Sequence, residues 1–106
     1  MSVIMTLWIK GDPNALERFA AENPDKLAAI AAEAKKQGLI AHRFYGAEGQ
    51  VLVVDEWPDA QSFQKFFAEQ QPQIGPVMEA VGATIASEPT FWRELESHDK
   101  VGWEQR

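Results

Sequence analysis

From residue 3 to residue 10 the chain reads Val-Ile-Met-Thr-Leu-Trp-Ile-Lys, a run rich in β-branched and aromatic side chains that predicts a first strand. It stops at Lys10-Gly11-Asp12-Pro13, where Asp12 suits a helix N-cap and Pro13 the first helical position. Leu16, Phe19 and Ala20 then share one helical face. Asn23-Pro24 repeats the cap-and-proline signal, and Leu27, Ile30, Ala31 and Ala34 continue at helical spacing until Gly38. Two further strand-like runs, 39–45 and 50–57, are joined by Gly46-Ala47-Glu48-Gly49, a connection suited to a hairpin. Asp59 is placed to cap a helix striped with Phe63, Phe66 and Phe67. Pro72 to Pro76 interrupt that helix, and Ile74, Val77, Met78 and Val81 form a second inner face that Gly82 closes. The last strand is expected over 84–95; within it Pro89 has no N–H for a ladder, which marks an edge or a bulge.

The order strand, helix, strand, strand, helix, strand predicts an α+β chain of ferredoxin-like βαββαβ type with a four-stranded antiparallel sheet. One domain over residues 1–96 is expected, followed by a polar tail over 97–106. The helices of such a fold cover one sheet face only. A wet second face would show polar residues in alternation, yet Val3, Met5, Leu7 and Ile9 on one side are answered by Ile4, Thr6 and Trp8 on the other, and Val51 and Val53 by Leu52 and Val54. At about 25 cal/mol per Å², several hundred Å² of apolar sheet left in water would forgo on the order of 10 kcal/mol. Patches of that size mark interfaces, so a homodimer joined sheet to sheet is expected. In the tail, Trp103 is either part of a loose end or an anchor docked on the partner subunit.

Composition narrows the function classes. With 106 residues, 45% of them apolar, the chain can build one core without staples. The absence of cysteine removes disulfides, zinc-thiolate sites and thiol nucleophiles. Ten Lys and Arg against sixteen Asp and Glu give a net charge of -6, which opposes binding to nucleic acid or to an anionic membrane surface. The opening apolar run is too short to span a bilayer and lacks the basic flank of a signal peptide, so no membrane association and a cytoplasmic address are expected.

Glu56-Trp57 followed by Asp59-Ala60-Gln61-Ser62-Phe63, set in this element order and beside strands that are apolar on both sides, resembles the dimeric α+β barrel superfamily. Its antibiotic-biosynthesis monooxygenase-like branch is the nearest, and the likeness covers residues 3–95. The resemblance implies two subunits whose sheets close into a barrel, with a pocket between sheet and helices in each. Members include cofactor-independent monooxygenases of quinols and polyketide aromatics, haem-degrading enzymes, and small proteins without known activity. The haem-degrading branch carries an Asn on the first strand, an aromatic residue on the helix after the Trp, and a His further on. Phe66 matches the aromatic, but the first strand has no Asn and residues 70–81 have no His, so haem chemistry is not expected.

The residues that could carry chemistry are few. His42 shares a strand face with Ile40 and Phe44 and could act as a general base near neutral pH, or serve as a core or interface histidine bonded to backbone. Arg43 and Tyr45 lie on the opposite face, where they could orient an anionic or phenolic substrate or form a hydrogen-bonded pair at the subunit interface. Asp55 and Glu56 point to opposite sides and cannot act together. Trp8, Phe44, Phe63, Phe66, Phe67 and Met78 could line an aromatic cavity or simply fill the core. Trp57 and Trp92 read as packing pieces at strand ends, and His98 as an exposed residue of the tail. No phosphate-cradling loop, helical histidine pair or nucleophile elbow occurs, and neither a metal nor a cofactor is expected. Two functions follow: cofactor-free oxygenation of a small aromatic or quinol-type substrate, or non-catalytic binding of a small hydrophobic molecule by a dimeric, stress-associated barrel protein. A third is a structural subunit for another protein.

Overall fold

The computed structural model describes residues 1–102; Trp103, expected as a tail anchor or loose end, lies outside the described residues. Strand β1 (Val3–Lys10) runs antiparallel to β3 (Gln50–Trp57) along its whole length, and β2 (Ala41–Ala47) pairs antiparallel with the other edge of β3. The far edge of β1 carries β4 (Thr84–Ile85) and β5 (Thr90–Trp92), giving the order β2-β3-β1-β4 with β5 beside β4 on β1. The expected fourth strand is therefore two short segments. Pro89 cannot donate to β1, while Ala86 still does so through its N–H to the Trp8 carbonyl at 2.8 Å.

Each expected helical unit is a pair of consecutive helices. In α1 (Pro13–Glu22) the Asp12 carboxylate accepts from the Asn14 N–H at 2.9 Å, as its position predicts. Asn23 does not cap α2 (Pro24–Lys36) with its side chain; its Nδ2 donates back to the Phe19 carbonyl at 3.1 Å and so finishes α1 instead. The Asp59 carboxylate caps α3 (Ala60–Glu69), accepting from the Ser62 N–H at 2.8 Å, and that bond holds the carboxyl below its ordinary pKa. The break before α4 (Gln71–Ala80) falls at Gln70 rather than between the prolines: Pro72 occupies the first turn, where its missing N–H costs nothing, and Pro76 lies inside the helix.

All four helices lie on one side of the sheet. The register sets up cross-strand rows on that face: Gly46, Val51, Ile9 and Ile85; then Phe44, Val53 and Leu7; then His42, Asp55, Met5 and Phe91; then Trp57 and Val3. Met5, Leu7, Ile9, Val51, Val53 and Trp57 are buried there against Ala34, Phe63 and Phe66. The outer face carries the alternate residues, and its large apolar side chains reach solvent: Trp8 is 45%, Tyr45 46%, Leu52 38% and Trp92 53% exposed. Tyr45, Leu52 and Trp8 are cross-strand neighbours in one row, so they form a continuous apolar stripe.

Candidate functional site

The tight turn at Glu48-Gly49, with Gly49 at φ 72°, fixes the register of the β2–β3 hairpin and so sets His42 directly opposite Asp55. Their side chains meet on the helix-facing side, with His42 Nδ1 2.7 Å from Asp55 Oδ1. Trp57, two residues beyond Asp55 and therefore on the same face, donates its indole N–H to Asp55 Oδ2 at 3.0 Å. Asp55 is 6% exposed and Trp57 fully buried, so this carboxylate has exchanged water for two specific donors. A carboxylate accepts only. With Nδ1 donating to it, the neutral imidazole keeps its lone pair on Nε2, and among the described residues nothing bonds to that atom.

An apolar cavity of about 140 Å³ lies between sheet and helices. The sheet contributes His42, Asp55 and Phe44 together with Met5, Leu7 and Ile9 of β1 and Val51 and Val53 of β3. The helices contribute Leu27, Ile30, Ala31 and Ala34 from α2, Phe63, Phe66 and Phe67 from α3, and Ile74, Val77 and Met78 from α4. Aromatic contacts hold the wall. Phe63 stacks on Phe67 with centroids 5.2 Å apart, Trp57 meets Phe63 edge-on at 5.8 Å and Phe66 at 5.5 Å, and His42 meets Phe44 edge-on at 4.8 Å. Apart from His42 and Asp55, the one ionisable lining residue among those described is Asp12, at the exposed start of α1.

The structure thus brings His42, Phe44, Phe63, Phe66, Phe67 and Met78 to one cavity and separates the rest. Arg43 and Tyr45 occupy the outer sheet face, as strand alternation predicts. Trp8, expected among the cavity residues, faces outward with them, because its even position on β1 opposes it to the buried Leu7 and Ile9. Trp57 is more than a packing piece, since it orients Asp55. Trp92 remains half in solvent while its indole N–H reaches Thr6 Oγ1 at 2.8 Å. His98 is exposed at a positive φ of 63°. Asp55 is the residue that inspection of single positions missed. Centring the hairpin on Glu48-Gly49 pairs Ala47 with Gln50, and counting back five residues on each strand arrives at His42 and Asp55.

Among the described residues no cluster of three or more His, Cys, Asp or Glu could hold a metal ion, and no helix is long and apolar enough to cross a membrane. No protein-family model matches the sequence, and no curated protein matches it. Solved structures do. A dimeric ferredoxin-like protein from an uncultured marine organism superposes with a TM-score of 0.68 at 14% identity, over 92% of this chain and 99% of that one. SnoaB, a cofactor-independent oxygenase from Streptomyces nogalater, gives 0.59 at 20% identity, over 93% and 98%. What these likenesses share with the chain is the ferredoxin-like α+β fold. A Deinococcus radiodurans protein provisionally named an antibiotic biosynthesis monooxygenase shares the fold, with a TM-score of 0.61 at 14% identity over 96% of this chain and 100% of that one.

Proposed function

We propose that this chain is a small monooxygenase that oxygenates an electron-rich phenol or quinol-type aromatic in the cavity between sheet and helices, with His42 as general base. The observation that carries the reading is the 2.7 Å contact between His42 Nδ1 and a buried Asp55 at the wall of an otherwise apolar cavity. A histidine so held presents a basic Nε2 to a hydroxyl, and removing that proton gives a phenolate rich enough in electrons to react with oxygen. For a phenol the balance closes without another reductant. The para C–H becomes a carbonyl, one oxygen atom stays there, and the other leaves as water with the hydroxyl and ring hydrogens, all four electrons coming from the ring. The cavity supplies an apolar surround and orientation. That SnoaB is a cofactor-independent oxygenase on the same fold agrees with this chemistry.

Two copies associate through the outer sheet faces, in keeping with the exposed stripe of Tyr45, Leu52 and Trp8 and with the dimeric neighbours. In that arrangement Arg43, Tyr45 and Trp8 serve the interface, and Phe44, Phe63, Phe66, Phe67 and Met78 serve the substrate. The test is oxygen uptake with a panel of alkylated phenols and hydroquinones, comparing wild type with His42→Ala. Uptake that depends on His42 supports the proposal; identical uptake by the variant removes His42 as base. The apolar lining also suits the alternative of a non-catalytic binder, which would show saturable binding of the same compounds without oxygen uptake.

A further inference from the structure

Taking the cavity as the ligand site, as proposed above, we infer that within that substrate class it favours the phenol over the quinol: an uncharged, single-ring compound whose one hydroxyl meets His42 and whose other substituents are apolar. Size is the first argument. About 140 Å³ is comparable to an engineered apolar cavity of about 150 Å³ that holds one benzene molecule, so a second fused ring must displace wall side chains or project past the exposed rim of Phe44 and Ile85 into water. The wall side chains interlock through aromatic contacts around Trp57 and Phe63, and overpacking such a wall costs binding.

Charge is the second. Among the described residues the lining contains no Lys or Arg, and its acidic members are Asp55 and Asp12. A carboxylate or phosphate on the ring would lose its hydration against like charge with no cation to receive it. Arg43, the guanidinium nearest in sequence to His42, lies on the other sheet face.

The third is the polar inventory. Among the described residues the lining includes no Ser, Thr, Tyr, Asn or Gln, and both Asp55 oxygens are already engaged, by His42 and by Trp57. His42 Nε2 is then the one side-chain atom ready to pair with a ligand hydroxyl. A second hydroxyl would enter without a side-chain partner, the situation that penalises buried polar groups most.

Isothermal titration calorimetry with 4-methylphenol, toluene, methylhydroquinone, 4-methylbenzoate and 1-naphthol tests the inference at neutral pH. One hydrogen bond predicts that 4-methylphenol binds about ten-fold more tightly than toluene. It should also bind about ten-fold more tightly than 4-methylbenzoate or 1-naphthol, and detectably better than methylhydroquinone, whose second hydroxyl must enter unpaired. The ¹⁵N resonance of His42 Nε2 in the wild-type protein should move with 4-methylphenol and not with toluene, which avoids reliance on a variant. Equal or tighter binding of 1-naphthol or 4-methylbenzoate with the same movement of Nε2 overturns the selectivity while leaving the cavity as the site. If no aromatic compound moves that resonance, both the selectivity and the proposed site fall.

Discussion

Replacing Asp55 in two ways separates its contribution to folding from its contribution to chemistry. In Asp55→Ala the indole N–H of fully buried Trp57 loses its acceptor at 3.0 Å, and His42 Nδ1 loses its partner at 2.7 Å. The histidine side chain is 30% exposed and can turn to water, whereas the indole cannot. A buried, unsatisfied donor costs about 1–3 kcal/mol, so Asp55→Ala should lose about 2 kcal/mol, or on the order of 10 °C in Tm for a domain of this size. Asp55→Asn behaves differently. Its amide oxygen can still accept from Trp57, while its NH₂ donates to Nδ1 and forces the imidazole into the Nε2–H tautomer. That variant should stay within about 1 kcal/mol of wild type, as a retained neutral hydrogen bond implies, yet lose on the order of 100-fold or more in oxygen uptake, the usual worth of a general base. Urea unfolding followed by tryptophan fluorescence gives the first number and an oxygen electrode the second. An Asp55→Ala protein as stable as wild type would show that the Trp57 contact carries no folding energy, and an Asp55→Asn protein at full rate would refute the tautomer argument.

Three further outcomes are expected. Leu52→Asp puts a charge into the outer apolar stripe between Tyr45 and Trp8, so sedimentation should show dissociation into monomers with secondary structure unchanged; a dimer that persists at micromolar concentration would move the interface elsewhere. Gly46→Ala sets a new Cβ 2.7 Å from Pro13 Cβ, which should cost about 1–3 kcal/mol in thermal unfolding as β2 and α1 are forced apart. The Asp59 cap has a folded pKa below the ordinary 3.8, so its stabilisation is complete above that value and fades as pH falls through the lowered one; Asp59→Ala should therefore lower Tm at neutral pH and flatten the acid limb of the Tm profile, and parallel profiles would argue against the cap.

Strand alternation was enough to read the two sheet faces, because a period of two leaves little choice once one face is buried: Met5, Leu7 and Ile9 had to go in together, and Trp8 with Leu52 had to go out. The same parity contradicted placing Trp8 in the cavity, an expectation drawn from its aromatic character rather than its position. Helix starts at Asp12 and Asp59 were legible since a cap depends on local spacing. Asn23 was not, because whether its side chain serves the helix ahead or the one behind is decided by backbone angles. The His42–Asp55 pair escaped notice for a different reason. Its members lie thirteen positions apart in sequence and pair only once the hairpin register is assigned, whereas reading Asp55 beside Glu56 directs attention to the wrong neighbour.

All of β2 is solvent-accessible, and it is the outermost strand, tied to the sheet by β3 alone. The histidine proposed as base therefore rides on a segment that can peel away while the buried layer of β1, β3 and α3 stays intact. Local opening of that kind needs far less free energy than global unfolding. Gentle warming should release amide protons along residues 41–47, and with them the function, well before the tryptophan in the core reports any change.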